Sequence, residues 1–302
     1  MATLYKKPDK GDPSDVFQVF PHYELQLLCC RYWWLRHWEF AELSYPYWRV
    51  YHNSTSGAVI TFDGRDYELT PGTIVVIAPN TSYSTRLFGH PVPGQGYHLE
   101  GARVESGSSA VVEISSDCVY HLFIHFNIGV PYDNVLPGVF VFEVTEHLNR
   151  KLAQIMDCVK DEHVRFSFGS VLLIQSFIAD LLAMMPVEMW DAVSTDGRIV
   201  EVLTHIGNHL EADLSNRAMA SRARMATNAF HRLFVDEVGM PPPRYVKKKR
   251  IDQACILLHH SDYTIERVAS ETGFADRYHF SRIFKMITGI SPALYRSGVI
   301  FK

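Results

Sequence analysis

Two stretches of the chain place arginine and histidine where an acidic polymer could be read. One is Arg277-Tyr278-His279-Phe280-Ser281-Arg282-Ile283-Phe284, and the other is Asn228-Ala229-Phe230-His231-Arg232-Leu233-Phe234. On helices, Phe280, Ile283 and Phe284 would hold one inner face, and Phe230, Leu233 and Phe234 the other. That leaves Arg277, Tyr278, His279, Ser281 and Arg282 free to point outward, and likewise Asn228, Ala229, His231 and Arg232. Arginine and asparagine are the side chains whose paired hydrogen bonds distinguish guanine and adenine edges in a DNA groove. Between the stretches, Lys247, Lys248, Lys249 and Arg250 form a cationic run suited to phosphate contact. Each feature has a plainer reading. Arg232 and Arg282 would serve equally well as structural ties to a carboxylate or a helix end, and the cationic run as a solvated face.

A second group is polar and aromatic. His121, Phe123 and His125 alternate, so on a strand they share a face. Arg49, Tyr51 and Asn53 do the same. If both faces point inward, they line a ligand pocket together with Tyr83; the competing reading turns them out to solvent. The surrounding density of Trp33, Trp34, Trp38, Trp48, Tyr45, Tyr47 and Tyr51 suits the faces of sugar rings, although aromatics in a small barrel are more often core. A metal-dependent enzyme would need clustered histidine and carboxylate ligands, commonly opening with His-x-His. The chain has no His-x-His. His121 and His125 would need His98 or Glu113 to complete a set, so no metal, cofactor or catalytic residue is assigned.

The elements that must position these residues begin with an internal repeat. Phe230, Arg232, Leu233, Phe234, Gly239, Pro242 and Tyr245 recur 50 residues on as Phe280, Arg282, Ile283, Phe284, Gly289, Pro292 and Tyr295. The shared pattern is F-x-R-(L/I)-F-x4-G-x2-P-x2-Y, one supersecondary unit used twice. In the second unit, Thr264 caps a helix carrying Ile265, Val268 and Ala269. Gly273 supplies a left-handed turn, Phe274 enters the core, and Asp276 caps a second helix over 277–287. Two helices joined by a short glycine turn predict a helix-turn-helix whose second helix does the reading. In the first unit, Arg224 stands where Gly273 stands, at a cost of about 1 kcal/mol if the turn needs positive φ. Ala226 stands near the cap position, so Thr227 is expected to cap a reading helix over 227–235. Residues 245–260 form the connecting helix.

Upstream, residues 22–129 read as short strands rich in Val, Ile, Tyr, Phe and Trp. They include 47–52, 58–62, TIVVIA from Thr73, 111–114 and 119–127, with a hairpin at Asp63-Gly64. A sandwich or small barrel follows. Residues 88–109, rich in Gly, Pro and Ser, read as a long loop. After Pro137 the period becomes helical, with helices over 146–164 and 169–185 and a stop at Pro186. Thr195 or Asp196 would cap a further helix over 198–209. The expected division is an arm over 1–20, a barrel region over 21–186, a linker over 187–197 and a helical region over 198–302.

Charge follows the same division. The 302-residue chain carries −4 overall, but from Arg198 onward it holds 16 Lys+Arg against 10 Asp+Glu, leaving 13 against 23 before it. A basic region joined to an acidic one suits a polyanionic partner for the former. The five cysteines form no CxxC pair, which reads as free thiols in a reducing, cytoplasmic setting. No apolar run is long enough to span a membrane, and the polar N-terminus does not read as a secretory signal.

The stretch IERVASETGFADRYHFSRIFKMITGISPALYR, from Ile265 to Arg296, resembles the DNA-binding domain of the AraC/XylS family of bacterial transcription regulators, as does the whole region from about 198 to 298. The resemblance implies two helix-turn-helix motifs in successive major-groove segments, with base-reading candidates Asn228, His231, Arg232, Arg277, His279 and Arg282. Lys247 and Lys248 would join them at phosphates. Arg224 and Ala226 depart from the family's usual Gly and Ser. The segments DGRDYELTPGTIVVIAPNTSY and HLFIHF are similar to the family's cupin-like sensor barrel. This implies an α+β chain with a small-molecule effector, often a sugar, a homodimer built through neighbouring helices such as 169–185, and RNA polymerase as a further partner of an activator. The pocket candidates are then Arg49, Tyr51, Tyr83, His121, Phe123 and His125. Two other readings remain open: a constitutive DNA-binding regulator whose barrel is only a dimerisation scaffold, and a cupin-class metalloenzyme with a fused helical region.

Overall fold

The computed structural model describes residues 23–94, 97–106, 117–129, 132–162, 164–191 and 196–297. The expected arm over 1–20, the strand over 111–114 and the alternative cap Thr195 lie outside these residues.

The N-terminal part is a nine-stranded antiparallel sheet curled into a nearly closed barrel. Its strands are β1 (Gln26–Leu43), β2 (Trp48–Asn53), β3 (Ala58–Phe62), β4 (Arg65–Leu69), β5 (Thr73–Ile77), β6 (Tyr83–Leu87), β7 (Tyr97–Arg103), β8 (Val119–Asn127) and β9 (Val139–Glu143). They run in the order β4-β3-β6-β1-β8-β2-β5-β9, with β7 paired to β1. The β3–β4 hairpin turns at Asp63-Gly64, both at positive φ, as an Asp-Gly pair favours.

Two expectations fail here. The loop read over 88–109 contains β7, which pairs with β1 from Trp33 to Phe40. Its flanking Gly, Pro and Ser residues conceal a strand that gains its order from the partner. The strand series expected to end by residue 129 continues at 139–143, strand β9 on the edge of β5, while the helix expected from Glu146 does begin there.

Alternation gives the barrel two apolar layers. Trp48 and Val50 of β2 and Leu122, Ile124 and Phe126 of β8 face out, under helices α1 (Glu146–Asp161) and α2 (Phe168–Ala183). α1 contributes Leu148, Leu152 and Ile155, and α2 contributes Ile174, Phe177, Ile178 and Leu181. Since this layer claims the even-numbered residues of β2 and β8, their odd-numbered neighbours must point into the barrel. The inner layer is built from Leu35, Trp38, Tyr51, Ile60, Val75, Ile77, Tyr83 and Leu87.

Beyond α2, the expected linker contains a short helix, α3 (Glu188–Asp191). The rest is helical: α4 (Gly197–Asn208), α5 (Asn216–Arg222), α6 (Thr227–Val238), α7 (Pro242–His260), α8 (Ile265–Glu271), α9 (Arg277–Thr288) and α10 (Pro292–Ser297). It holds two small cores rather than one. Phe230, Phe234, Met219, Ala220 and four residues of α4 meet Tyr245 and Val246 at the start of α7. Phe274, Phe280, Phe284, Val268 and Ala269 meet Ile251, Ala254 and Leu258 further along the same helix. α7 is thus the shared wall of both repeats. Among the described residues, no helix is long and apolar enough to cross a membrane.

Candidate nucleic-acid interface and candidate sensor cluster

The second repeat is assembled as its sequence dictates. The Thr264 hydroxyl accepts from the Arg267 N–H and starts α8. The turn passes through Gly273 at φ 74°. The Asp276 carboxylate accepts the N–H groups of Tyr278 and His279, each at 2.8 Å, and starts α9. These bonds hold the Asp276 carboxyl below its ordinary range. Phe280 and Phe284 are fully buried. Arg277, His279 and Arg282 therefore stand exposed on the outer face of α9. Arg277 also pairs with Glu266 on α8, a bond that braces the two helices of the motif at the surface.

The first repeat has the same shape with weaker devices. Arg224 occupies the left-handed turn at φ 53°. α6 begins at Ala226 with no side-chain cap, so Thr227 does not cap it as expected. α6 is longer than expected, reaching Val238 before Gly239 closes it at φ 74°. Asn228 and Arg232 are exposed and His231 half-buried on its outer face. Among the described residues, neither Arg232 nor Arg282 forms a close ion pair with a carboxylate, although Arg282 bears electrostatically on Asp276.

The cationic run at 247–250 is not one surface. Lys247 alone is exposed. Lys248 donates to Asp252 at 2.8 Å and to Asn80 of the barrel at 3.2 Å, so its ammonium is engaged within the chain. Lys249 lies over the Tyr245 ring, 5.6 Å from its centre. Arg250 donates to the carbonyls of Leu210 and Ala212 and packs beneath Gly273. Three of the four expected phosphate ligands are thus engaged within the chain, by Asp252 and Asn80, by the Tyr245 ring and by the Leu210 carbonyl.

In the barrel, the expected pocket residues do converge. Arg49 is fully buried, and Tyr51, Tyr83, His121 and His125 are nearly so. The Arg49 guanidinium donates to the Tyr83 hydroxyl and to the Tyr45 carbonyl, and lies over the rings of Tyr45, Tyr47 and Tyr83. The Tyr51 and Tyr83 hydroxyls are 2.8 Å apart. His121 Nδ1 meets Asn53 Oδ1 at 2.6 Å, and burial lowers its pKa to about 3. Phe123 lies between the rings of His121 and His125. Arg49 Nε has no acceptor, and no carboxylate is paired with this guanidinium among the described residues. His98, a potential helper for His121, instead joins His37 and His90 around the buried Glu39.

The cluster also extends beyond the barrel. Tyr47, on the approach to β2, places its hydroxyl 2.7 Å from Nδ1 of His259 at the end of α7. Tyr45 stacks on His259, and the rings of His125 and His260 are 5.4 Å apart. Asn134 donates to the Tyr245 hydroxyl at 2.9 Å. The two histidines that end α7 carry no periodic signal linking them to a strand more than a hundred residues earlier.

Comparison with known proteins finds a family match inside the helical region. The family described as "Helix-turn-helix domain" matches residues 219–298. The transcriptional activator RhaS of Escherichia fergusonii is 33% identical over 105 residues, covering 35% of this chain and 38% of that protein. RhaS of Salmonella paratyphi B is 28% identical over 110 residues. The matched part of the chain therefore spans well under half the length of these relatives. Among solved structures, the DNA-binding domain of AdpA bound to a target DNA is 32% identical, over 33% of this chain and 90% of that one, with a TM-score of 0.32. An apo form of ToxT from Vibrio cholerae covers 92% of this chain and 97% of that one at 10% identity, with a TM-score of 0.51, a likeness of fold across both parts. The helical region of this chain, with its repeated motif and its match over 219–298, thus contains a helix-turn-helix domain, similar to those of AraC-type regulators.

Proposed function

We propose that the chain is a sequence-specific DNA-binding transcription regulator, an activator in the manner of its RhaS relatives. The carrying observation is the pair of exposed faces on α6 and α9, both fastened to α7. Asn228, His231 and Arg232 read one groove segment; Arg277, His279 and Arg282 read the next, about 10 bp along the duplex. Lys247 contacts phosphate. Lys248 is left out of the interface because Asp252 and Asn80 hold it.

The test is a footprint and gel shift on its own operon region at several salt concentrations. A protected site of two adjacent groove segments, weakening steeply with salt, is expected. Equal retention of all DNA sequences would overturn the reading.

The barrel is proposed as the sensor. A buried guanidinium met only by a hydroxyl, one backbone carbonyl and ring faces, with no carboxylate paired to it among the described residues, carries an uncompensated desolvation cost. A small acidic metabolite, such as a sugar acid, would supply the missing negative charge, while the Tyr and Trp faces accept its carbon skeleton. A thermal-shift series of neutral and acidic sugars tests this. A rise confined to acidic members is expected, and loss of that rise in Arg49→Met ties it to the guanidinium. If no member shifts the transition, the constitutive reading, with the barrel as scaffold, takes its place. Homodimerisation is proposed through the outer face of α2, which exposes Phe168 and Leu172 while its inner face is committed to the barrel.

A further inference from the structure

At the junction between barrel and reading region three donors meet, of which only His125 is among the pocket candidates. Cys29 of β1 and His125 of β8 are direct cross-strand partners. His260 closes α7 and reaches the same point from the helical region. One donor atom from each lies within 4.8 Å of the others.

Neither ring nitrogen of His125 has a hydrogen-bond partner, and neither does either nitrogen of His260, although all four are shielded from solvent. Buried imidazole nitrogens are rarely left without partners, so two adjacent rings in this state call for an explanation. Their arrangement offers one. Their ring centres are 5.4 Å apart and their planes 78° apart. Two imidazoles bound through nitrogen to one tetrahedral ion place their centres about 5 Å apart.

We propose that Cys29, His125 and His260 form a metal site that clamps the DNA-binding region to the barrel. The donor set selects the ion. One thiolate and two imidazoles suit zinc or a similarly soft ion and not magnesium or calcium. Arg31 and Arg49 bear electrostatically on His125 and oppose any cation there, so an ion could be held only through its bonds to sulfur and nitrogen. Binding breaks the S–H bond of Cys29, forms a metal–sulfur bond, and releases the thiol proton to solvent. Three protein donors leave a fourth position open for water or an exogenous ligand. Because the set is complete only while His260 is docked, metal occupancy favours the docked arrangement of the two parts.

The full chain, stripped with chelator and dialysed against zinc or cobalt, decides the matter without reference to DNA, so its outcome is separate from that of the proposed reading function. One zinc per chain should survive dialysis, and cobalt should give a thiolate-to-metal absorption band. Cys29→Ser should abolish that band and His260→Gln should weaken zinc by about tenfold or more, whereas Cys158→Ser and His98→Ala should change neither. If the variants fail to fold, alkylation of the unaltered chain serves instead: zinc should protect Cys29 and leave Cys158 unprotected. A chain that retains no zinc, a cobalt complex lacking the thiolate band, full affinity in Cys29→Ser and His260→Gln, or unchanged alkylation of Cys29 would each overturn the proposal.

Discussion

The two repeats share a pattern but differ in what surrounds their turns. At Gly273 a Cβ would lie 2.2 Å from the Leu210 carbonyl oxygen and 2.9 Å from the Arg250 guanidinium. Gly273 is therefore required twice, for its positive φ and for the closeness of the chain beyond it. Arg224, in the corresponding turn, also has positive φ but is exposed. There only the backbone preference opposes a side chain, a cost of about 1 kcal/mol that a domain can absorb. Tolerance at a repeated position is thus set by neighbours outside the repeat as much as by the turn itself.

The comparison can be broken most forcefully in the cores. Phe280→Ala and Phe230→Ala should each destabilise by about 3–5 kcal/mol, measured by urea unfolding. Equal losses would mean that both small cores carry the domain despite their unequal caps. Arg282→Ala should weaken specific DNA binding by about 1–3 kcal/mol with no change in melting temperature, and Arg232→Ala should do the same at the other groove segment. A drop in melting temperature for either would return that arginine to a structural role. Gly273→Ala should cost more than the roughly 1 kcal/mol expected of a strained turn alone, while Arg224→Gly should stabilise by no more than about that amount. Ala226→Ser supplies the missing cap and should add about 0.5–1 kcal/mol.

The smallest effect concerns pH. The Asp276 carboxyl is held below its ordinary range by the backbone N–H groups of His279 and Tyr278. Its contribution to stability is therefore fully present above the unfolded carboxylate value, near pH 4, and fades as pH falls through the lower folded value. Asp276→Asn should flatten that part of the acid dependence of unfolding. The first repeat, started by Ala226, has no such cap to titrate.

Much of this was legible in the residues. The repeat, the turn at Gly273, the caps Thr264 and Asp276 and the outward face of α9 all follow from short-range rules. That Arg49 and Tyr51 share a face, as do His121 and His125, follows from strand alternation too, but the residues leave open which way those faces turn, and the helices that cover the opposite side decide it. What escaped was decided at long range. β7 is a strand because β1 offers it hydrogen bonds, not because its own residues demand it. Lys248 and Arg250 turn inward because Asn80 and the Leu210 carbonyl happen to lie within reach of their long stems. His259 and His260 meet Tyr47 and His125 only after two separately patterned regions have docked.

α7 has one more consequence. Its first turns belong to one core and its later turns to the other, with no break along its 19 residues. The two reading helices are therefore mounted on a single stiff axle, and their relative angle is a constant of the protein. For the proposed operator this becomes a rule of phase. Inserting one base pair between the two segments rotates the second by about a tenth of a turn, and the axle cannot follow. An inserted base pair should then be as damaging as a wrong base, even at a position that no side chain touches.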